Sequence, residues 1–341
     1  MNSRPPYPVT SPADLLALVP SVLGFHPEDS LVLVVTAGKV GQLHARIDLP
    51  GDDGAGMAEV VDTLLTAVTR SGAREVALVA YSDDEMLAED LVDHLVDLLE
   101  MCGVDLACAI RADGERWYSL DCHPAYFSAE GEAYDVSSHP ITAQSVLDGR
   151  VTFGSRQALA DSLVGTDLDA LEAVDEAAEE AARRFRGAGR HPLGPGAQEG
   201  ARALLLTEGS WVRERVRRFV GTGEPLDDNE VGRMVTALTS IDVRDVAWAE
   251  MTRAEALTHV ELWRDVVRRT PSELLAAPAA LLAFAAWLAG EGALAWCAVE
   301  RCQEADPDYS MAALVSQALA GAVHPSSWQP IPPEDLPLFA S

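Results

Sequence analysis

Positive charge is scarce in this chain of 341 residues. Lysine and arginine together number 25, against 54 aspartates and glutamates, and the formal net charge is −29. Lys39 is the single lysine. Binding along nucleic acid or on an anionic bilayer depends on cationic side chains that neutralise phosphates. We therefore expect neither nucleic acid nor a membrane surface among the partners of this protein.

Cysteine pairs and long apolar runs are also lacking. The five cysteines form no CxxC pair and no even framework, which favours a reducing, cytoplasmic environment. The first ten residues hold prolines and no apolar core of a signal peptide, so we predict no export. The longest apolar stretch, 274–290, is interrupted by Pro278 and runs into Glu291. It predicts a buried helical hairpin rather than a membrane span.

The first 150 residues alternate between strand and helix patterns. Apolar runs at 31–35, 75–81 and 104–110 are typical of buried strands, and two helix patterns separate them. A Gly-rich segment at 38–41 predicts a hairpin loop. Strands that alternate with helices are usually parallel, and hairpins add antiparallel strands. The sequence therefore predicts an α/β domain over 1–150, with flanking helices and a mixed, largely parallel sheet.

The second half of the chain carries helix patterns throughout. From residue 155 onward the strand patterns stop, and the apolar spacing is that of helices. We therefore expect an all-α domain over 151–330, followed by a C-terminal tail over 331–341.

Several segments of the first half carry a resemblance to a known family. They are Ser11-Pro12-Ala13-Asp14, Leu23 to Val32, Arg46 to Pro50 and Asp113 to Ser119. Through them the chain resembles the actinobacterial family of domain of unknown function 4192. That family has no assigned activity, so the resemblance implies none. Members often carry a cysteine pair where Cys122 stands alone, so the resemblance brings no metal or disulfide site to this chain.

A second resemblance is confined to the helical half. Small residues over 279–319, together with Asp306-Pro307 at a helix start, are similar to a tetratricopeptide-like array. The similarity implies paired helices near 272–322. About one and a half repeats are present, fewer than the roughly three needed to stand alone, so these helices have to pack on their neighbours.

Polar side chains near three predicted strand ends form the candidate ligand site. Tyr81 and Asp83 lie where a covered strand ends and a helix begins, the place at which open α/β sheets usually bind ligands. Arg46 and Asp48 share one face of a strand and offer a cation and a carboxylate to an anionic ligand. The candidate ligand-binding residues are Phe25, His26, Arg46, Asp48, Tyr81, Asp83, Arg111 and Trp117.

Each candidate also has a structural interpretation. Ser82 can be an ordinary helix cap, and Asp83 and Asp84 can be ordinary acids of the first helical turn. The alternation around Arg46 suits a solvated sheet face, and Trp117 suits packing on a hairpin. His26, Asp29 and Ser30 contain the residue types of a catalytic triad. All three lie within five consecutive positions, which do not hold a histidine between a serine and an aspartate as a triad requires. We therefore favour a turn, with the Phe25 side chain packed in the core.

The densest basic cluster lies in a predicted helix of the second half. Ion pairs with neighbouring acids explain it better than contacts with nucleic acid in so acidic a chain. The arginines are Arg213, Arg215, Arg217 and Arg218, and the predicted partners include Asp227, Asp228 and Glu230.

The leading hypothesis is a cytoplasmic, non-catalytic regulatory module that binds a protein partner or a small-molecule ligand. Phosphate-binding loops of the Walker and G-x-G-x-x-G types are absent, and we predict no cofactor. Cys122-His123 lacks the second ligand pair of a zinc site. The alternative is a metal-assisted hydrolase or transferase at the strand ends that uses Asp83 and Asp84 with Asp48 or Arg46, where two or three of the carboxylates hold Mg²⁺.

Overall fold

A computed structural model describes residues 11–38, 44–50, 56–121, 128, 130–188 and 195–339. The chain divides into two compact units. The α/β unit comprises Met1–Ala158 with Ala320–His324, and the helical unit comprises Leu159–Leu319 with Pro325–Ser341. The predicted hairpin loop after Gly38 and the Cys122-His123 pair lie outside the described residues.

The described part of the α/β unit contains one six-stranded sheet. Its strands are β1 (Ser30–Gly38), β2 (His44–Asp48), β3 (Ala73–Tyr81), β4 (Asp105–Ala112), β5 (Arg116–Ser119) and β6 (Glu132–Ala133). They lie in the order β2-β1-β3-β4-β5-β6. The β3–β4 pair is parallel, whereas the other four neighbouring pairs are antiparallel.

The sheet is mixed, as predicted, but the prediction that it is largely parallel is wrong. Strands β2, β3 and β4 do run in the same direction, as their alternation with helices requires. β1 lies between β2 and β3 and pairs antiparallel with both. The alternation of strands and helices predicts the direction of each strand, but it does not predict which strands lie next to each other. The strand order decides whether a neighbouring pair is parallel or antiparallel.

Four helices flank this sheet or follow it within the α/β unit. They are α1 (Pro12–Leu23), α2 (Met57–Ser71), α3 (Glu85–Met101) and α4 (Pro140–Leu147). Ser11 is the N-terminal cap of α1. The Ser11 hydroxyl accepts a hydrogen bond from the Asp14 amide (3.2 Å), and the Asp14 carboxylate accepts one from the Ser11 amide (2.9 Å). This reciprocal pair is a capping box, which satisfies two amides at the helix start.

Apolar side chains cover both faces of the central strands. On one face, Leu31, Leu33 and Leu78 pack into a core with residues of α2 and α3. On the opposite face, Val32 and Val79 pack with residues of α1. Because side chains alternate along a strand, the unbroken apolar runs of β1 and β3 supply both layers at once.

Along the chain, the helical unit begins at Leu159, within a short helix. Its helices are α5 (Arg156–Asp161), α6 (Leu168–Ala188), α7 (Pro195–Thr222), α8 (Asp228–Ala237), α9 (Ile241–Ala249), α10 (Ala256–Arg269), α11 (Ala276–Ala289), α12 (Gly292–Ala305) and α13 (Ser310–Ala320). The prediction of a helical C-terminal region is confirmed. The tetratricopeptide-like character of 272–322 stays a prediction, as do the boundaries at residues 150 and 330.

α11 is buried at every position from Ala277 to Leu288, and both α10 and α12 pack against it. Protein therefore covers the longest apolar run of the chain. Within the described ranges, none of the helices combines the length and the apolar content that a bilayer crossing requires.

A glycine allows α8 to approach α6 closely. A Cβ atom at Gly232 would lie 2.5 Å from the Cβ of Ala177 and 2.7 Å from the backbone nitrogen of Ala178. Contacts this short do not occur between real side-chain and backbone atoms, so the absent side chain sets the distance between these two helices.

We predict that Gly232→Ala lowers the free energy of unfolding of the helical unit by about 1 to 3 kcal/mol, the cost of overpacking a close contact. The matched control is Gly221→Ala near the end of α7, where a Cβ atom would meet open space. We expect the control to change stability by no more than about 0.5 kcal/mol. Urea unfolding followed by far-UV circular dichroism measures both. Equal effects of the two variants would contradict the close approach.

Candidate functional site

A cleft of about 500 Å³ lies at the carboxyl ends of the central strands β3 and β4. It is lined from α1 by Leu16 and Pro20, and from the loop before β1 by residues 26–29. The turns that follow β3 and β4, and residues 134–136 after β6, complete the lining. Because β3 and β4 are parallel, their carboxyl ends meet at the same edge, and both of the turns that follow reach the cleft.

Three of the eight candidate residues predicted from the sequence line this cleft. They are His26, Tyr81 and Asp83. His26 and Asp83 are exposed, whereas Tyr81 is buried. The structure therefore brings together three of the eight candidates at this cleft, and the other five lie elsewhere.

Tyr81 is the last residue of β3, and its side chain lies on the sheet face that α1 covers. Only 7% of the residue is exposed, and its hydroxyl has no hydrogen-bond partner among the described residues. Burial raises the pKa of Tyr81, and the neighbouring Tyr134 raises it further. The hydroxyl is therefore protonated at neutral pH, and it can both donate and accept a hydrogen bond.

The α1 side of the cleft contains an irregular helical turn. Pro20 lies inside α1, and Leu16 lies four residues before it. A proline has no amide hydrogen, so Pro20 cannot donate the regular helical hydrogen bond to the carbonyl of Leu16. The Leu16 carbonyl therefore lacks the amide donor that a regular helix provides. Leu16 and Pro20 both line the cleft.

The turn between β4 and β5 brings an ionised carboxylate to the cleft. Oδ1 of Asp113 accepts hydrogen bonds from the amides of Glu115 (2.9 Å) and Arg116 (2.6 Å), and Oδ2 accepts one from the Tyr118 hydroxyl (3.1 Å). Burial alone raises the pKa of Asp113, but these hydrogen bonds and the charge of Arg111 outweigh burial and lower the pKa. Hydrogen bonds to the charged form favour ionisation.

Arg111 does not line the cleft. It lies beside Ala80 in the register of β3 and β4, on the sheet face that α2 and α3 cover, whereas Tyr81 lies on the other face. Its Nη1 donates a hydrogen bond to the Ser82 carbonyl (3.2 Å), and its guanidinium carbon lies 4.1 Å from the centre of the Tyr118 ring. Arg111 therefore joins the strand ends behind the cleft.

Phe25, Arg46 and Asp48 form a separate group that includes the edge strand β2. Nη2 of Arg46 lies 2.6 Å from Oδ1 of Asp48, and the guanidinium carbon lies 5.6 Å from the centre of the Phe25 ring. Phe25 is buried, as the turn interpretation predicts. Because β1 lies between β2 and β3, one strand separates Arg46 and Asp48 from the strand of Tyr81.

Trp117 is also placed away from the cleft lining. It is 5% exposed and packs in the core on the α1 face of the sheet. An aromatic platform for a ligand requires an exposed ring face, so the packing interpretation describes Trp117 better.

The three carboxylates of the magnesium hypothesis do not converge. Asp48 is paired with Arg46 on β2. Oδ1 of Asp84 accepts a hydrogen bond from the Leu87 amide (3.0 Å) and caps α3, whereas Asp83 lines the cleft. Within the ranges that the structure describes, no three histidine, cysteine, aspartate or glutamate side chains are grouped so that they could hold a metal ion.

The arginine cluster of α7 is paired with acids, as predicted. Arg215 and Arg218 form ion pairs with Glu230, and Arg213 and Arg217 form ion pairs with Glu250. Of the other predicted partners, Asp227 caps α8 and Asp228 pairs with Arg269.

Sequence reasoning missed the part of the cleft formed by Tyr134, Asp135 and Val136. These residues lie between the two-residue strand β6 and α4, so no periodic pattern marks them. Asp29 was weighed only for a triad or a turn, and Asp113 was not among the candidate residues. The signal that points to Asp113 is its position, since an Asp-Gly turn follows directly at the carboxyl end of a buried strand.

Comparison with protein families gives one finding. The model of the family described as domain of unknown function (DUF4192) matches residues 12–326, and the chain belongs to that family. No curated protein and no solved structure matches the chain.

We predict that Asp113→Ala weakens the β4–β5 hairpin by about 1 kcal/mol at pH 7, because three hydrogen bonds to a partly solvated carboxylate are lost. A lowered folded-state pKa stabilises the folded state above the unfolded-state value of about 3.9, and that stabilisation is lost as the pH falls through the folded-state value. The difference between variant and parent should therefore shrink below pH 4.

Hydrogen exchange of the peptides covering this hairpin, measured at pH 7 and pH 3 and corrected for intrinsic exchange rates, checks the effect. Glu115→Ala is the matched control, because the Glu115 side chain is exposed and only its amide bonds to Asp113. The same loss of protection in both variants, or a loss that does not depend on pH, would contradict the role of the Asp113 carboxylate.

Proposed function

We propose that this DUF4192 protein is a non-catalytic regulatory module that binds a small molecule in the cleft at the ends of β3 and β4. The buried, unpartnered hydroxyl of Tyr81 carries the proposal. A hydroxyl without a partner in the interior costs roughly 1 to 3 kcal/mol. A ligand that hydrogen-bonds to Tyr81 recovers this energy, so the cleft is more stable when it is occupied.

The size and lining of the cleft also support a small ligand. Its volume of about 500 Å³ falls within the range of roughly 300 to 1,000 Å³ typical of small-molecule sites. Leu16, Pro20 and Val136 line the cleft together with Tyr81 and the acidic residues of the turns. Such a mixture of apolar walls and a few polar groups orients a ligand.

The polar side chains of the cleft favour binding over catalysis. The Ser82 hydroxyl accepts a hydrogen bond from the Asp84 amide (3.0 Å), and so it serves the start of α3. His26 is exposed on the loop before β1. Covalent catalysis needs a nucleophile held next to an oriented base, and the described lining residues supply no such pair. The separation of Asp48 from Asp83 likewise disfavours the metal-assisted alternative.

The test is a ligand-detected NMR screen of the full chain against a defined set of cationic, neutral and anionic compounds of metabolite size. We expect at least one compound to bind and Tyr81→Phe to weaken it roughly three- to ten-fold, the loss of one hydrogen bond. The same substitution should not lower the melting temperature, because the hydroxyl that it removes has no partner in the free protein.

A second variant tests the location independently of the hydroxyl. Val136→Trp fills the cleft and should abolish binding, whereas Val146→Trp, on an exposed position of α4 outside the cleft lining, should not. Failure of every compound to bind would overturn the proposal, and so would a bound compound that neither Tyr81→Phe nor Val136→Trp affects.

A further inference from the structure

The charge of the cleft has one sign. Five carboxylate residues line it, and no lysine or arginine is found among the described residues of the lining. These residues are Glu28, Asp29, Asp83, Asp113 and Asp135. Clefts lined by one sign of charge concentrate ligands of the opposite sign.

The arginines near the cleft are engaged elsewhere. Arg111 donates to the Ser82 carbonyl and stacks on Tyr118, on the other face of the sheet. Arg116 donates to the carbonyls of Glu130 and Gly131, each at 3.0 Å. Neither guanidinium group lines the cleft, although the charge of Arg111 acts on Asp113 and lowers its pKa.

The protonation states strengthen this asymmetry. Hydrogen bonds from the amide and the hydroxyl of Ser137 lower the pKa of Asp135, and the pKa of Asp113 is lowered as described above. Burial raises the pKa of Tyr134, and the charge of Asp113 adds to this rise. At neutral pH the cleft therefore combines ionised carboxylates with neutral tyrosine hydroxyls.

A divalent metal ion does not suit this arrangement. Calcium and magnesium need about six or more oxygen ligands that converge on one point. In the described part of the chain, no three carboxylate, histidine or cysteine side chains converge in this way. The cleft carboxylates come instead from four separate segments, with apolar surface of Leu16, Pro20 and Val136 also in the lining.

We infer that the cleft binds an aliphatic cation with more than one ammonium group, as in a diamine or a polyamine. The ammonium groups meet separate carboxylates, the methylene chain lies on the apolar surface, and the Tyr81 hydroxyl and the Leu16 carbonyl accept the remaining N–H hydrogen bonds. This inference rests on the proposed function, because it names the chemical class of the ligand for the same cleft.

The experiment compares two probes with the same five-carbon chain, 1,5-diaminopentane with charged ammonium ends and 1,5-pentanediol with neutral hydroxyl ends, by titration calorimetry of the full chain at low ionic strength. We expect the diamine to bind and the diol not to bind. Raising the salt concentration to about 0.3 M, where screening is strong, should lower the affinity for the diamine. Equal affinity for the two probes would overturn the inference.

Charge-neutral variants locate the contacts. Asp83→Asn and Asp29→Asn should each weaken the diamine roughly two- to five-fold, the range for partly exposed ion pairs. The matched control is Asp90→Asn, an exposed position of α3 outside the cleft lining, and it should leave the affinity unchanged. Circular dichroism verifies that the variants fold. An affinity that falls equally in Asp90→Asn reports the net charge of the protein and overturns the site.

A lysine side chain of a peptide offers the same ammonium chemistry as a free amine. Nα-acetyl-lysine methylamide therefore forms a third arm of the titration. Binding of the diamine more tightly than the lysine derivative supports a free amine as ligand, and the reverse order overturns this in favour of a peptide.

Failure of this inference is distinguishable from failure of the proposed function. If only neutral or anionic compounds bind, and Val136→Trp abolishes their binding, the cleft is a ligand site but its ligand is not a cation. If no compound of any charge binds, both proposals fail.

Discussion

The burial of β1 on all sides is the constraint on which the α/β unit depends. β1 is hydrogen-bonded to β2 on one side and to β3 on the other, and every residue from Leu31 to Val35 is buried. A strand with both edges paired and both faces covered has no place for an unpaired polar side chain. Polar groups are therefore confined to the strand ends, where the chain enters and leaves the core, and the cleft forms there.

Two hydroxyl groups at the strand ends, those of Ser30 and Tyr81, differ in their hydrogen bonding. Ser30, Tyr81 and Ala112 lie side by side in the register of β1, β3 and β4. The Ser30 hydroxyl donates to the Glu28 carbonyl (2.6 Å) and holds the loop that lines the cleft, whereas the Tyr81 hydroxyl has no partner among the described residues. The Ser30 hydroxyl is therefore used within the loop, whereas the Tyr81 hydroxyl is buried without a partner in the described part of the chain.

Local patterns in the sequence predicted much of the fold and part of the site. The apolar runs at 31–35 and 75–81 indicated strands covered on both faces, because such a run reports burial directly. The strand-to-helix turn after Tyr81 was also visible, since it depends on residues close together in the chain. Eight residues were candidates for one ligand site, and three of them, His26, Tyr81 and Asp83, line the cleft.

Neighbouring strands, by contrast, are set by contacts between distant segments. Only the tertiary structure placed β1 between β2 and β3, and this insertion separated Arg46 and Asp48 from the cleft. The tertiary structure also placed Arg111 on the sheet face opposite to that of Tyr81, and it placed residues 134–136 in the lining of the cleft. Periodicity along a chain encodes which side chains are buried, but the partner that buries each of them is chosen by the packing of the whole unit.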